Sequence, residues 1–358
     1  AQFRYKVYLM IILMIGLSKL EAFCQLDAIP NYSAGYVLTK FDSRVKAFGD
    51  IDVVSSDLYA FNGLTNNPAL LSRNNKSIGL RLSYLNWLTR LNLDFHFLNG
   101  HIYYSFSDKH SIGYSFTNYH DDFDNYSKTN RYYQMLRYAY SISNKFSLGV
   151  GLKHIKNYGN KRRNHSIAGD FGVNYFDKII IDNIDIMNIE VGAALLNVGE
   201  KIYSSNSHTS QFIPTTLSMG TLLGINRIVS KEKEISLDVA FQFSKILTPI
   251  EWDTTLTVFK GIWYSFTDAP GGIKQEIKQI ERHSAVDIEY KHNEIFKGSI
   301  RIGKVNNDGN WKNNNYYTWG VGVNYKMICF DYAYLFGSKN AELLNKTWSI
   351  SLGIINWF

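Results

Sequence analysis

Residues 146–153 run Phe146-Ser147-Leu148-Gly149-Val150-Gly151-Leu152-Lys153. Apolar side chains stand at every second position, with Ser, Gly and Lys between them. Successive side chains of a strand point to opposite faces, so this stretch has one apolar face and one polar face. Ile235-Ser236-Leu237-Asp238-Val239-Ala240-Phe241-Gln242-Phe243 repeats the pattern. So do Ile78-Leu80-Leu82-Tyr84, Leu136-Tyr138-Tyr140-Ile142 and Tyr317-Trp319-Val321-Val323-Tyr325, each apolar row alternating with polar or small residues. About fourteen such segments follow one another from Ser77 onward, an even number, as single-chain bacterial barrels have. A soluble sandwich also alternates. Here the second face carries Gly, Ser and charge almost everywhere, and the chain holds 25 Tyr, 22 Phe and 7 Trp against 19% charged residues. Tyr and Trp suit membrane interfaces, where one end of the ring is dry and the other wet. The reading is all-β: a transmembrane antiparallel β-barrel of about fourteen strands, lipid outside and a polar lumen inside.

The connections support it. Outer-membrane barrels alternate short periplasmic turns with long external loops. Ser107–Lys109, Ser143-Asn144, His292-Asn293 and Lys326-Met327 are short, whereas His120–Arg131, Asn157–Asn164, Val305–Asn315 and Gly337–Asn345 are long and polar. Two links expected to be short, Asp177–Asp185 and Arg227–Lys233, are longer than a tight turn. Only 5 Pro occur, as a closed ladder of backbone hydrogen bonds requires.

Residues 1–24 are expected to be a signal peptide. Arg4 and Lys6 precede an apolar run from Val7 to Leu17, and Ala22-Phe23-Cys24 offers small residues at the cleavage position. That run is too short to span about 30 Å of hydrocarbon. Residues 25–75 lack sustained alternation and are expected to form an N-terminal hatch, with a helical turn near Ser55–Ala60. Residues 76–358 form the barrel. Cys329 then has no partner, and no intrachain disulfide is expected.

The formal net charge is +7. No basic helix or zinc spacing accompanies it, so no nucleic-acid partner is expected. No nucleophile, metal or phosphate-loop motif is present, so neither an enzyme nor a cofactor is expected. Arg81, Arg137, Asp238, Asp287, Glu289, Arg301 and Asp331 sit at inward positions and form a candidate lumen network.

The longest connection is different in kind. Gly261-Ile262-Trp263-Tyr264-Ser265-Phe266-Thr267-Asp268-Ala269-Pro270-Gly271-Gly272 leads into Ile273-Lys274-Gln275-Glu276-Ile277-Lys278-Gln279-Ile280-Glu281. It is external by topology. Trp263, Tyr264 and Phe266 in a surface loop offer a partner surface or a lid over the barrel's own mouth. The candidate site is Trp263, Tyr264, Phe266, Asp268, Ala269, Pro270, Gly271 and Gly272.

Ser265-Phe266-Thr267-Asp268-Ala269-Pro270-Gly271-Gly272, with Glu276 and Glu281, resembles the PorV family of the type IX secretion system of Bacteroidota. Asn67-Pro68-Ala69 resembles that family's hatch motif. Ser83-Tyr84 with Trp87-Leu88, Phe146 to Lys153, Asn197-Val198-Gly199, Ile213-Pro214, Arg301 with Gly303, Gly320 with Gly322 and Tyr325, and Asp331 with Tyr334 follow in order. Gln275-Glu276 departs from the family's paired acids, and the sister family PorQ is the alternative.

The resemblance implies a FadL-like outer-membrane barrel that is not an enzyme. It implies a carrier that binds the C-terminal signal domain of secreted cargo. Its implied partners are outer-membrane lipid, a giant translocon barrel and the surface sortase complex, between which it moves the cargo. The alternative is a FadL-like transporter of hydrophobic small molecules.

Overall fold

The computed structural model describes residues 30, 32–55, 66–74, 77–91, 95–122, 128–159, 162–181, 184–204, 209–250, 255–293, 295–307, 315–338 and 341–357. The segment expected to be a signal peptide lies outside the described residues, as do 56–60 of the expected helical turn.

Sixteen strands occur among the described residues. They are β1 Ser77–Trp87, β2 Phe95–Ser105, β3 His110–Asp122, β4 Lys128–Ser141, β5 Phe146–Gly159, β6 Arg162–Ile180, β7 Asp185–Gly199 and β8 Ile202–Ser204. Then come β9 Thr209–Gln211, β10 Thr216–Ser230, β11 Lys233–Ile246, β12 Glu281–His292, β13 Phe296–Asn306, β14 Tyr316–Tyr325, β15 Ile328–Gly337 and β16 Trp348–Trp357. Strands β8 and β9 form a separate ribbon. The other fourteen close into one antiparallel barrel in chain order, with β1 pairing β16 from Ser77↔Trp357 to Asn86↔Trp348. Every strand therefore has two hydrogen-bonded neighbours, and no edge is left to lipid.

Each strand buries alternate residues. In β1, Ser77, Arg81 and Ser83 are buried while Ile78, Leu80 and Leu82 are exposed. The exposed row is the lipid-facing belt, because a barrel surrounded by hydrocarbon has no reason to hide it. Aromatics border the belt at both ends. Tyr84 lies 5.6 Å from Trp348 at one end, and Phe106 lies 5.6 Å from His110 at the other. No helix among the described residues is long and apolar enough to cross a membrane; the crossing is made by strands.

The turns refine the expected rhythm. Paired strands run on to Ile180↔Ile186 and to Ser230↔Lys233, so the two links that look long in the sequence shorten to residues 181–184 and 231–232. Likewise β5 and β6 stay paired to Gly159↔Arg162, so the expected loop Asn157–Asn164 is mostly strand. The backbone ladder continues there after the side chains have stopped alternating. The sixteen-residue stretch around β8 and β9 and the link 247–280 stand at the long-loop end.

Residues of the N-terminal segment lie inside the barrel. Helix α1 (Ser43–Ala47) is capped by Asp42, whose carboxylate accepts from Arg44 N at 3.0 Å and Val45 N at 3.4 Å. The same carboxylate pairs with Arg81 of β1. Arg81 reaches Asp331 of β15 at 2.9 Å, Asp331 takes Arg301 of β13 at 2.7 Å, and Arg301 takes Asp287 of β12 at 3.0 Å. Four of the seven expected inward charges, Arg81, Asp331, Arg301 and Asp287, are thus joined in a chain that ends on the hatch, while Glu289 pairs with Lys297 at 2.7 Å. Full burial makes such pairing obligatory, since an isolated buried ion costs several kcal/mol. Helix α1 was not expected from the sequence.

Candidate functional site

Two features stand apart from the barrel wall: the hatch seat and the loop 247–280.

The hatch seat is built of inward glycines. A Cβ at Gly149 would overlap the backbone of Pro68 and Ala69, and one at Gly172 would overlap the Asn67 side chain. One at Gly192 would overlap Val53 O, and one at Gly303 would overlap the Gly49 backbone. These glycines let two backbones meet where a side chain would hold them apart. The motif residues Asn67, Pro68 and Ala69 sit at this contact. Asn67 caps a 3-10 turn, Pro68–Arg73, by accepting from Ala69 N at 3.0 Å. Its amide donates to Val53 O at 2.9 Å and to Val173 O of β6 at 3.1 Å. Ser147 of β5 donates to Ala69 O at 3.2 Å. One side chain therefore ties both hatch segments to the wall.

The loop 247–280 carries two short helices, α2 (Val258–Tyr264) and α3 (Ile273–Lys278). Thr257 caps α2 through its side chain. Gly272 precedes α3 with φ 68° and ψ −152°, a region open to glycine alone. The loop is tethered by Lys245, near the end of β11. Its ammonium donates to Glu276 Oε2 at 2.8 Å and to Gln279 Oε1 at 2.7 Å. Glu276 Oε1 accepts from Ala269 N at 2.7 Å, and Asp268 Oδ2 accepts from Ile250 N at 2.7 Å. Burial first, and the neighbouring Glu276 second, push the Asp268 carboxyl above its ordinary pKa. Lys245 continues the lipid-facing row of β11 past Phe243, so the tether holds the loop on the outer side of the rim.

The eight candidate residues thus divide. Asp268 and Ala269 face the tether and shape the loop. Gly271 and Gly272 supply the turn, both with positive φ, and Pro270 just before them is exposed. Trp263, Tyr264 and Phe266 face solvent, Trp263 at 76% exposure, with its ring 6.4 Å from that of Phe266. Phe259, Ile273 and Ile277 extend this apolar surface and were missed by the motif; their exposure is 70%, 78% and 61%. The helical spacing of Phe259 and Trp263, four apart, is the signal that could have found the first. The loop also meets the link between β9 and β10, which in turn touches the N-terminal segment. Gly261 packs on the Phe212 ring, and Phe212 O accepts from Ser33 N at 2.8 Å.

Among the described residues no group of three or more His, Cys, Asp or Glu side chains could hold a metal ion. Cys329 is buried and forms no disulfide with any described residue. It lines a cavity of about 440 Å³ at the short-turn end, with Lys291, Phe296, Lys297, Met327 and Ile355.

A closed fourteen-stranded barrel with a lipid-facing belt and a lumen segment seated on its wall defines an outer-membrane barrel protein. The family model for the type IX secretion system protein PorV matches residues 27–253, and the chain belongs to that family. The match takes in the hatch and the strands through β11. No curated protein matches the chain. Among solved structures, the CymD monoaromatic hydrocarbon channel is similar at 11% identity and a TM-score of 0.47, covering 89% of this chain and 97% of that one. A Pseudomonas aeruginosa FadL homologue is similar at 10% identity and a TM-score of 0.44, covering 92% and 99%. The Pseudomonas putida toluene transporter TodX is similar at 10% and 0.40, covering 87% and 95%. At these values the likeness carries no argument about what this barrel binds or passes.

Proposed function

We propose that the barrel is the outer-membrane carrier of type IX secretion. It binds the C-terminal signal domain of secreted cargo and takes it from the translocon barrel to the surface attachment complex with its sortase. It performs no catalysis. Membership in the PorV family supports the system. The observation that carries the docking role is the tethered loop. Lys245, Glu276 and Ala269 fix its inner side, so that Phe259, Trp263, Phe266, Ile273 and Ile277 stand out together from the rim. Large exposed apolar patches on a folded surface mark partner sites, and aromatic anchors carry most of the energy at such sites. Holding the loop in place beforehand lowers the ordering cost of binding.

The test is a deletion of Asp268–Gly272 in cells. Cargo should then accumulate unreleased and fail to co-purify, while the barrel stays in the outer membrane. Normal release and co-purification would remove the loop from the mechanism.

The second reading is transport of hydrophobic small molecules. It is favoured by the mainly apolar cavity at the short-turn end. Uptake defects on a lipid substrate, with secretion intact, would support it.

A further inference from the structure

The outer surface of a barrel is ordinarily finished by Tyr and Trp where hydrocarbon gives way to headgroups. Over part of the external end this chain uses nitrogen bases instead. On the outward face of β4–β6, Tyr132 stands opposite Lys156, and Lys156 stands opposite His165. One step nearer the belt, Gln134 stands opposite His154. The rings of His154 and His165 are 6.2 Å apart, and Lys156 Nζ lies 5.6 Å from the centre of the Tyr132 ring. Two strands away, His96 stands opposite His120 with ring centres 4.9 Å apart. Four of the nine histidines therefore face outward at one end of five consecutive strands.

Directly beneath lies hydrocarbon-facing surface. Leu136 stands opposite Leu152, both about half exposed, and Ile167 stands opposite His154. The surface thus pairs N–H donors and a cation above with an acyl-packing floor below. An ammonium and imidazole N–H groups match the oxygens of a phosphate, and hydrogen bonds to a charged partner are the strong ones. A lipid-facing lysine at this depth costs little, whereas at mid-membrane it would cost about 2–4 kcal/mol. The arrangement therefore suits a headgroup rather than the bilayer core.

We propose that this face binds the phosphate-bearing headgroup of an outer-leaflet lipid. His154, Lys156 and His165 are the donors, and Leu136, Leu152 and Ile167 lie under the acyl chains. This site is separate from the loop 247–280 and does not depend on the carrier role.

The experiment places the whole barrel in phosphatidylcholine nanodiscs doped with a bis-phosphorylated lipid A, at neutral pH. Lipid retained by the protein is counted by native mass spectrometry. Retention should exceed that of dephosphorylated lipid A by about tenfold, the worth of one charge-assisted hydrogen bond. The triple variant His154→Gln, Lys156→Gln, His165→Gln should lose that preference. Lys145→Gln, at the opposite end of β5, should keep it. Heat-modifiable gel migration shows that each variant is folded. Equal retention of the two lipids, or an unchanged triple variant, overturns the proposal. Displacement of the lipid by millimolar inorganic phosphate also overturns it, because the acyl floor would then contribute nothing.

Discussion

Lys245 and Glu276 form a buried pair across 2.8 Å that joins the end of strand β11 to helix α3 of the external loop. The contact is what turns a long connection into a positioned surface. Glu276 spends one oxygen on the lysine and the other on Ala269 N, so one carboxylate links the barrel wall to the start of the Asp268–Gly272 turn.

Replacing Lys245 with Met should free the loop. The Glu276 carboxylate would stay buried with its cation gone, a loss worth about 3–5 kcal/mol for a buried pair. Hydrogen-exchange protection over residues 257–280 should fall by about a hundredfold or more, while the barrel strands keep theirs. Unchanged protection would show that the pair does not hold the loop.

Asp268 gives the loop a pH dependence. Its folded carboxyl is raised above the ordinary value of 3.8, first by burial and then by Glu276, so the folded loop holds its proton to higher pH than the unfolded loop does. Loop stability should therefore fall as pH rises through the interval between the ordinary and the raised value, and level off above it. Asp268→Asn should flatten that dependence. Exchange rates of the loop amides, corrected for intrinsic pH effects, report it.

The glycine seat makes a sharp comparison. Gly149→Ala puts a methyl group into the Pro68–Ala69 backbone, where nothing flexible can move aside. Gly100→Ala meets only the tip of Leu82, at 3.5 Å. The first should cost about 1–3 kcal/mol in urea unfolding and the second far less. Equal costs would mean that the hatch does not press on the wall.

Asp42 both caps α1 and neutralises Arg81. Asp42→Ala removes the cap, worth about 1 kcal/mol, and takes from Arg81 one of the two carboxylates it pairs with here, Asp331 being the other. The hatch should loosen, and planar-bilayer recordings should show openings more often than in the unaltered protein. An unchanged record would place the hatch's hold elsewhere, with Asn67 the next residue to test.

The strands were legible because lipid on one side and a polar lumen on the other force alternation over the whole membrane depth. Where strands project past the membrane that force ends. At Asp177 to Ile180 and Arg227 to Ser230 the ladder goes on with no side-chain signature, because backbone groups need partners whatever the side chains are. Inward glycines such as Gly149 and Gly172 look in the sequence like a bland polar face. Their role depends on Asn67, Pro68 and Ala69, some 80–100 residues away, and distance in sequence hides it. In the loop, the motif drew attention to Asp268 and Ala269 together with Trp263. Only the tether at Lys245 separates the residues that shape the loop from those that face out. Phe259, Ile273 and Ile277 lie outside the motif, and their only signal is a spacing of four, Phe259 to Trp263 and Ile273 to Ile277, which is a single pair in each short helix.

The most direct test of the carrier role is binding of an isolated cargo C-terminal signal domain to the barrel in nanodiscs. The partners are the unaltered chain and a chain carrying Phe259→Ser, Trp263→Ser and Ile273→Ser. The account predicts saturable binding to the first. Loss of these apolar anchors should weaken binding in the second by about thirtyfold or more, since even one anchor residue is typically worth ~2 kcal/mol. Equal binding by both chains, or none by either, would contradict it.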